Sequence, residues 1–201
     1  MQKPLADLLR PETLDDMVGQ THLLAKGSTF RKVIDSGHIS NMIFYGPPGI
    51  GKTTMANIIA KKANMSLYKL NGTTANTDDI KKIIAEVNGI FNTNGILLYL
   101  DEIQYLNKKQ QQSLLEFVEN GDITLIASTT ENPYFYIYPA LLSRCTVFEF
   151  KAIEKIEIEK GLVRAAKKLD VSLEKEALSL LALSTNGDMR KGINNLEFLA
   201  N

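Results

Sequence analysis

Short apolar runs recur along the first three quarters of the chain, and stretches with helical spacing separate them. Each run is bounded by polar or turn-forming residues, a pattern typical of strands. Between the runs, apolar positions recur every three or four residues in Thr77–Val87 and Lys108–Val118, which predicts helices. Strands that alternate with helices predict an α/β fold with a parallel five-stranded sheet, flanked by helices on both faces. The expected strands are Met42–Tyr45, Leu67–Leu70, Ile96–Leu100, Ile123–Ala127 and Thr146–Phe150.

The pattern changes after Phe150, where no further strand is expected. Three amphipathic stretches follow and predict a small all-helical domain at residues 152–201, after an α/β domain at residues 1–151. The helical pattern stops at Asn201 without a polar closing segment, which is typical of a truncated domain; a natural end of the chain is the alternative. The expected helices are Glu154–Leu169, Leu173–Leu183 and Asp188–Leu199.

A glycine-rich segment follows the first expected strand. Residues 46–53, Gly-Pro-Pro-Gly-Ile-Gly-Lys-Thr, form a complete G-x-x-x-x-G-K-[ST] phosphate-binding loop with a helix-compatible stretch behind it. In such a loop, backbone N–H groups surround a triphosphate, the lysine reaches the outer phosphates and the threonine hydroxyl binds Mg²⁺. The alternative is a glycine-rich turn with a solvated lysine. The expected nucleotide-binding residues are Gly46, Pro47, Pro48, Gly49, Ile50, Gly51, Lys52, Thr53 and Thr54.

A second motif lies at the end of the third expected strand, where an apolar run ends in Asp101 and Glu102. A continuous apolar run is typical of a strand buried on both faces of a parallel sheet. Asp101 is therefore expected, with Thr53, to bind the metal, and Glu102 to orient and polarise the water that attacks the γ-phosphorus. An ordinary strand end with a solvated acidic pair is the alternative. The carboxylates favour hydrolysis over nucleotide storage.

Composition narrows the class of protein. The 201 residues are 44% hydrophobic, which is enough for a substantial core. The 23 basic and 23 acidic residues give no net charge, so any nucleic acid must be bound by a local basic patch. Cys145 is the single cysteine and the histidines lie far apart in sequence, so an intramolecular disulfide is excluded and a zinc site is not expected. We find no signal peptide and no apolar run long enough to span a membrane, and expect a cytoplasmic protein without membrane partners.

Two arginines become candidates once the order of the motifs is considered. Arg144 lies in Ser-Arg-Cys just before the last expected strand, and Arg190 follows Gly-Asp-Met in the last expected helix. An arginine beside the γ-phosphate stabilises the charge of the transition state in phosphoryl transfer. Taken singly, each arginine is more typical of a surface or salt-bridge position.

The order of these features resembles that of the clamp-loader-like AAA+ ATPases. Within them, the chain is most similar to the replication-associated recombination protein family, RarA or MgsA, whose eukaryotic relative is the Werner-helicase-interacting protein. The resemblance covers nearly the whole chain. The residues that carry it are Arg10–Gln20, Asn107–Gln111, Val118–Gly121, Thr129–Pro133 and Ala140–Arg144, together with the two motifs and Gly-Asp-Met-Arg at residues 187–190.

The resemblance implies a helical lid over an AAA+ core and a role for several residues that the motifs alone do not assign. Val18, Gly19 and Gln20 border the adenine in this family pattern. Thr130, with Thr129 as the weaker alternative, is a sensor on the strand between the two motifs, and Arg190 is the sensor of the lid. Arg144 is a finger that reaches the nucleotide of a neighbouring subunit, so hydrolysis requires an oligomer.

Two points depart from the family pattern. Relatives often have His-Arg after Asp-Glu-Ile, whereas this chain has Gln104 and Tyr105, which leaves any contact made there open, including one to DNA. In the family, the lid is followed by a C-terminal oligomerisation region that these 201 residues do not contain. Whether this chain assembles by itself therefore stays open.

The sequence thus predicts the ATP-hydrolysing core of a RarA-like protein, with ATP and Mg²⁺ as cofactors. The resemblance implies action on forked, gapped or single-strand/double-strand junction DNA at stalled replication forks, and a homo-oligomer in the full-length protein. Single-strand-binding protein and other replication proteins are candidate partners, and a bacterial nucleoid association follows. The alternatives are a clamp-loader subunit, a Holliday-junction motor, a P-loop small-molecule kinase and a subunit that binds ATP without hydrolysing it. The expected catalytic residues are Lys52, Glu102, Thr130, Arg144 and Arg190.

Overall fold

The computed structural model describes residues 4–87 and 95–200 and contains one parallel sheet within them. The strand order is β2-β3-β4-β1-β5, and each neighbouring pair is parallel. The predicted α/β fold, a parallel five-stranded sheet with flanking helices, is confirmed. The strands are β1 Met42–Tyr45, β2 Ser66–Asn71, β3 Ile96–Asp101, β4 Thr124–Thr129 and β5 Thr146–Glu149.

Helices connect the strands and follow the last one. Within the described ranges, none of them is long and apolar enough to cross a membrane. The helices are α1 Leu5–Leu8, α2 Thr21–Leu24, α3 Thr29–Ser36, α4 Lys52–Lys62, α5 Thr77–Val87, α6 Lys108–Glu119, α7 Pro133–Tyr136, α8 Pro139–Leu142, α9 Lys155–Leu169, α10 Lys175–Ser184 and α11 Met189–Ala200, with 3-10 turns at Leu14–Asp16 and Ile103–Tyr105.

The sheet separates two apolar layers because successive side chains of a strand point to opposite faces. On β1, Met42 and Phe44 pack in one layer with α4, whereas Ile43 packs in the other with α6. On β3, Leu97 and Tyr99 belong to the first layer, which also contains the buried side chains of α9–α11. The C-terminal helices therefore share a core with one face of the sheet.

Polar residues at the ends of the strands extend the sheet beyond the predicted bounds. On β4, Ser128 and Thr129 stay in the ladder opposite Phe44 and Tyr45, and β3 continues to Asp101. Backbone hydrogen bonds form the ladder regardless of side-chain polarity, so the apolar pattern ended these strands too early. The extension matters because it holds polar side chains at the carboxyl edge of the sheet, where α/β proteins bind ligands.

The three C-terminal helices pack on one another and on the N-terminal segment. Helix α9 contacts α10 and α11, and α1 contacts α11. The backbone N–H of Leu5 donates to both carboxylate oxygens of Glu197, at 3.1 and 3.2 Å. The predicted helices are present within one or two residues of their expected bounds. A domain boundary between residues 151 and 152 stays a prediction.

Candidate nucleotide-binding site

The phosphate-binding loop joins β1 to α4 at the carboxyl edge of the sheet. The N–H of Gly46 donates to the carbonyl of Thr129 at 3.1 Å, which fixes the start of the loop to β4. Gly49 and Gly51 have φ of +68° and +101°, conformations that L side chains rarely adopt, and Gly51 caps α4 in the left-handed region. The N–H groups at the start of an eleven-residue helix thus face the loop, as an anion site requires.

Lys52 is the first residue of α4 and is buried, with 7% of its surface exposed. Its ammonium donates hydrogen bonds to the carbonyls of Gly46 and Pro47, each at 2.6 Å. Burial lowers the pKa of Lys52, and the nearby carboxylates of Glu102 and Asp101 oppose that shift. The alternative of a solvated lysine in a turn is wrong, because the ammonium is held inside the loop.

A chain of hydroxyl groups links the loop to Asp101. The Thr53 hydroxyl lies 3.0 Å from the Tyr99 hydroxyl, which lies 3.2 Å from Asp101 Oδ1 and 2.8 Å from Ser128 Oγ. Ser128 in turn donates to Asp101. Burial raises the pKa of Tyr99 well above its ordinary value, so the phenol stays protonated at neutral pH. Hydroxyl and carboxylate oxygens are ligands that Mg²⁺ prefers, so Thr53 and Asp101 fit the predicted metal site.

Glu102 leaves β3 in a left-handed conformation, with φ of +55°, and its carboxylate approaches Thr130, the residue after β4. The Gln104 carboxamide donates to Glu102 Oε2 at 2.5 Å, and the Thr130 hydroxyl donates to the same oxygen at 3.5 Å. Thr129, by contrast, is buried and accepts a hydrogen bond from the N–H of Glu131 at 2.9 Å. Of the two sensor candidates, Thr130 contacts the acidic motif and Thr129 shapes the turn after β4.

A cavity of about 240 Å³ brings most of the predicted residues together. Its wall combines the phosphate-binding loop, the acidic motif, the N-terminal segment and the C-terminal helices. Val18, Asp101, Glu102 and Arg190 belong to it, and Gly19, Gln20, Gly46, Pro47, Thr130 and Arg144 do not. The residues that line it are Ala6, Leu9, Arg10, Pro11, Asp16, Met17, Val18, Pro48, Gly49, Ile50, Gly51, Lys52, Thr53, Thr54, Asp101, Glu102, Ile153, Gly161, Arg164, Met189, Arg190 and Ile193.

Gln20 and Gly19 connect chain segments behind the cavity. The Gln20 carboxamide accepts from the N–H of Lys151 at 2.9 Å and donates to its carbonyl at 2.7 Å. A Cβ on Gly19 would lie 3.1 Å from the side chain of Ile153. Of the three residues predicted to border the adenine, Val18 alone lines the cavity. The other two join the segment before α2 to the segment after β5.

The start of α11 lies directly on the phosphate-binding loop. The N–H of Met189 donates to the carbonyl of Gly49 at 3.2 Å, and the Asp188 carboxylate lies where a Cβ on Gly49 would be. The N–H of Ile153 donates to Gly187 at 3.2 Å and secures the same turn. These contacts bring Arg190 into the cavity wall.

Arg144 lies elsewhere, after α8. Its guanidinium pairs with Glu119 at 2.6 Å and donates to Ser143 Oγ at 2.9 Å, and almost half of its side chain is exposed. It therefore does not contact the cavity of its own chain.

Comparison with known proteins identifies the family. Residues 42–152, more than half of the chain, match the family model described as the ATPase family associated with various cellular activities, AAA. The chain belongs to the AAA family.

Relatives of this AAA chain include replication-associated recombination proteins. It is 38% identical over 206 residues to replication-associated recombination protein A of Escherichia coli K12, which covers 98% of this chain and 46% of that protein. It is 37% identical over 201 residues to the ATPase WRNIP1 of Dictyostelium discoideum, which covers 96% of this chain and 23% of that protein. The resemblance to the RarA family is confirmed, and the chain spans less than half the length of these curated relatives.

A solved structure shares the fold of the AAA chain. The RuvB Holliday junction branch migration motor of Thermotoga maritima superposes with a TM-score of 0.79 at 27% identity, over 94% of this chain and 64% of that one. The likeness extends beyond the matched family model to the C-terminal helices, because residues 42–152 alone would cover much less of the chain.

Several site residues were not found by sequence reasoning. Arg10 and Arg164 line the cavity, Tyr99 and Ser128 contact Asp101, and Asp188 contacts Gly49. The signal for Tyr99 was available, since residues two apart on a strand share a face and Tyr99 precedes Asp101 by two. Ser128 and Asp188 come from other elements, and only the fold brings them to the motif residues.

Proposed function

We propose that this chain is the ATP-hydrolysing core of a RarA-like protein that acts on DNA at stalled or gapped replication forks. The observation that carries the proposal is the convergence of Lys52, Thr53, Asp101, Glu102 and Arg190 on one cavity. These residues come from three separate parts of the chain, and together they supply the charges and ligands that Mg²⁺-dependent phosphoryl transfer requires.

Each residue has a separate task in the proposed reaction. The loop N–H groups and Lys52 bind the phosphates, and Thr53 and Asp101 would hold Mg²⁺, which neutralises charge on the phosphate oxygens when bound. Glu102 orients and polarises the attacking water. Thr130, the residue after β4, contacts Glu102 and would sense the γ-phosphate through that contact. The residues present fit ATP and Mg²⁺ as cofactors.

The C-terminal helices act as a lid in this proposal. They line the cavity through Met189, Arg190 and Ile193 and contact the phosphate-binding loop at Gly49. Nucleotide binding would change these contacts, and the resulting movement of α9–α11 relative to the sheet would be passed to neighbouring subunits. A division into a nucleotide-binding domain at residues 1–151 and a lid from residue 152 onward belongs to the same proposal.

DNA as substrate and a homo-oligomer as the active form are supported by the relatives. Proteins named for replication-associated recombination match nearly the whole chain, and the structurally similar RuvB is a Holliday junction motor. The position of Arg144 outside its own cavity agrees with a finger supplied to an adjacent subunit. Forked, gapped or junction DNA, replication proteins such as single-strand-binding protein, and a nucleoid location in the bacterial cytoplasm complete the proposal.

The decisive experiment measures ATPase rate over a series of protein concentrations, with and without forked or gapped DNA. We expect a rate per subunit that rises with protein concentration and with DNA. Lys52→Ala is the matched control for contaminating ATPase. Absence of phosphate release by the full-length protein at any concentration, or transfer of phosphate to a small molecule in place of water, would contradict the proposal.

Branch migration of four-way junctions is the second candidate function, and the similarity to RuvB favours it. The identity to RuvB is 27%, against 38% to the Escherichia coli recombination protein, so we rank it second. Migration of a synthetic four-way junction by the full-length protein alone, without stimulation by forked or gapped DNA, would reverse this order.

A further inference from the structure

The hydroxyl of Tyr99 lies where three elements of the site meet. Its ring is 1% exposed in the core layer beneath α4. The hydroxyl contacts Thr53 at the start of α4, Asp101 at the end of β3 and Ser128 on β4. No direct hydrogen bond joins Thr53 to Asp101 among the described residues, so Tyr99 bridges the two predicted metal ligands.

Counting protons fixes the direction of this chain of hydrogen bonds. Asp101 Oδ1 lies within hydrogen-bond distance of both the Tyr99 and Ser128 hydroxyls, and an ionised carboxylate accepts but never donates. Ser128 donates its single proton to Asp101 and therefore accepts in its 2.8 Å contact with Tyr99, so the Tyr99 proton is donated to Ser128 Oγ or to Asp101 Oδ1. A phenol has a single proton, so the Tyr99 oxygen can take part in its contact with Thr53 only as the acceptor. The proton of Thr53 points at Tyr99, and its lone pairs point away.

We propose that Tyr99 is a positioning residue for the magnesium site. Its phenol oxygen accepts a hydrogen bond from the Thr53 hydroxyl and so presents the lone pairs of Thr53 to a divalent cation in the cavity, because a metal ligand must offer a lone pair and not a proton. This inference rests on the proposed function, in which Mg²⁺ accompanies ATP. It assigns to the strand of the acidic motif a role in orienting the threonine of the phosphate-binding loop.

The test removes this hydroxyl and keeps the ring. Tyr99→Phe leaves the packing of the core in place, and Tyr68→Phe makes the same chemical change on β2, outside the cavity wall. ATP affinity is measured by calorimetry without Mg²⁺ and over a Mg²⁺ titration. For Tyr99→Phe we expect unchanged affinity without Mg²⁺ and a rise of about 3- to 10-fold in the Mg²⁺ concentration needed for half of the enhancement, the effect of one hydrogen bond. Tyr68→Phe is expected to match the wild type.

A double-mutant cycle shows whether Tyr99 acts through Thr53. In a Thr53→Val background, Tyr99→Phe is expected to cause no further change in Mg²⁺ dependence, because the hydroxyl that it orients is absent. Additive effects would overturn the inference, and so would equal losses of ATP affinity with and without Mg²⁺, which a purely structural role predicts. A wild type that shows no Mg²⁺-dependent ATP binding would instead contradict the proposed function.

A measurement on the intact hydroxyl covers the case in which Tyr99→Phe does not fold. Wild-type protein labelled with 3-fluorotyrosine gives a fluorine signal for Tyr99, identified as the one that changes in Thr53→Val. Addition of Mg²⁺ to the ATP complex is expected to shift this signal, since the cation withdraws electron density from Thr53 and strengthens its hydrogen bond to Tyr99. A signal that stays fixed while Mg²⁺ tightens ATP binding would overturn the inference.

Discussion

At the scale of single residues, Lys52 and Glu102 lie in one cavity but make different contacts. Lys52 is held by loop carbonyls, whereas Glu102 is held by Gln104 and Thr130 at the end of β3. In the proposed function, binding of ATP depends on the charge of Lys52, and activation of water depends on the carboxylate of Glu102. Substitutions at the two positions should therefore have separable effects.

The first prediction tests this separation. Lys52→Ala is expected to weaken ATP binding by about 10-fold or more, because it removes a charged hydrogen-bond donor to the phosphates. Glu102→Gln keeps the shape of the side chain, so ATP affinity should stay within about 2-fold while turnover falls about 100-fold or more, the range for loss of a general base. Calorimetry and phosphate release measure the two quantities. Wild-type turnover by Glu102→Gln would refute the catalytic role.

The residue types and spacing of the motifs are sufficient to identify Lys52 and Glu102 from the sequence. They are not sufficient to identify contacts between residues that lie far apart in the chain. The loop and the acidic pair were identified because their chemistry depends on neighbours in sequence. Gln20 was placed at the adenine by resemblance, but its carboxamide binds Lys151, which is 131 positions away. Nothing in the local pattern around Gln20 indicates that partner, because the contact exists only once β5 has paired with β1.

At the scale of elements, the contact between α11 and the phosphate-binding loop depends on Gly49. A Cβ there would lie 1.8 to 2.4 Å from the carboxylate atoms of Asp188, which is closer than any contact a real Cβ makes. Gly37, after α3, has a similar positive φ of +75° but no atom within 4 Å of an added Cβ. An alanine at Gly37 therefore introduces backbone strain alone, whereas an alanine at Gly49 introduces backbone strain together with the clash with Asp188.

The second prediction compares alanine at these two glycines. Gly37→Ala should cost about 1–3 kcal/mol from the left-handed backbone alone. Gly49→Ala is expected to destabilise further and to weaken ATP binding, since the Asp188 carboxylate, which accepts the N–H of Lys191 at the start of α11, must be displaced. Chemical denaturation and calorimetry are the measurements. Equal losses of stability in the two variants, with ATP affinity retained in Gly49→Ala, would show that the contact with α11 does not matter.

The third prediction concerns Arg190, the second residue of α11. Arg190 lines the cavity of its own chain, so Arg190→Ala should lower ATP affinity about 10-fold, even in a monomer, by removal of a charged donor. Lys191→Ala is the matched control, because it removes the same charge from an exposed neighbour that does not line the cavity. Protection of α11 from hydrogen exchange on ATP addition reports the movement of the helix. Unchanged affinity and unchanged protection would reject the role.

Element types were predictable over most of the chain, whereas element ends were not. The apolar runs located all five strands because a parallel sheet with two covered faces requires continuous apolar segments. The same pattern missed Ser128 and Thr129 at the end of β4, of which Ser128 donates to Asp101 and Thr129 shapes the turn after the strand. The polar residues of the site lie at the strand ends, on the carboxyl edge of the sheet. The apolar pattern therefore does not predict the strand ends that carry these residues.

At the scale of the whole molecule, the cavity has residues for binding and water activation, but its own Arg144 points elsewhere. The guanidinium is half exposed and bound to Glu119 on α6, so its salt bridge is worth little against solvent. Exchange of Glu119 for a phosphate, which the proposed assembly requires, therefore has a small cost. An assembly would complete each site with a residue from the next chain.

The last prediction tests this arrangement in oligomers of the full-length protein. Arg144→Ala should bind ATP normally and lose turnover about 10³-fold, the low end for an arginine finger, while Glu119→Ala, which only frees the guanidinium, should keep its turnover. A mixture of Arg144→Ala with Lys52→Ala should recover activity. In mixed oligomers, the intact finger of a Lys52→Ala subunit reaches the intact nucleotide site of an Arg144→Ala neighbour. Recovery of ATPase activity should depend on the mixing ratio and vanish on dilution. Co-purification of two tags verifies that mixed oligomers form. If such mixed oligomers show no more ATPase activity than the sum of the two parent variants, a finger acting between subunits is refuted.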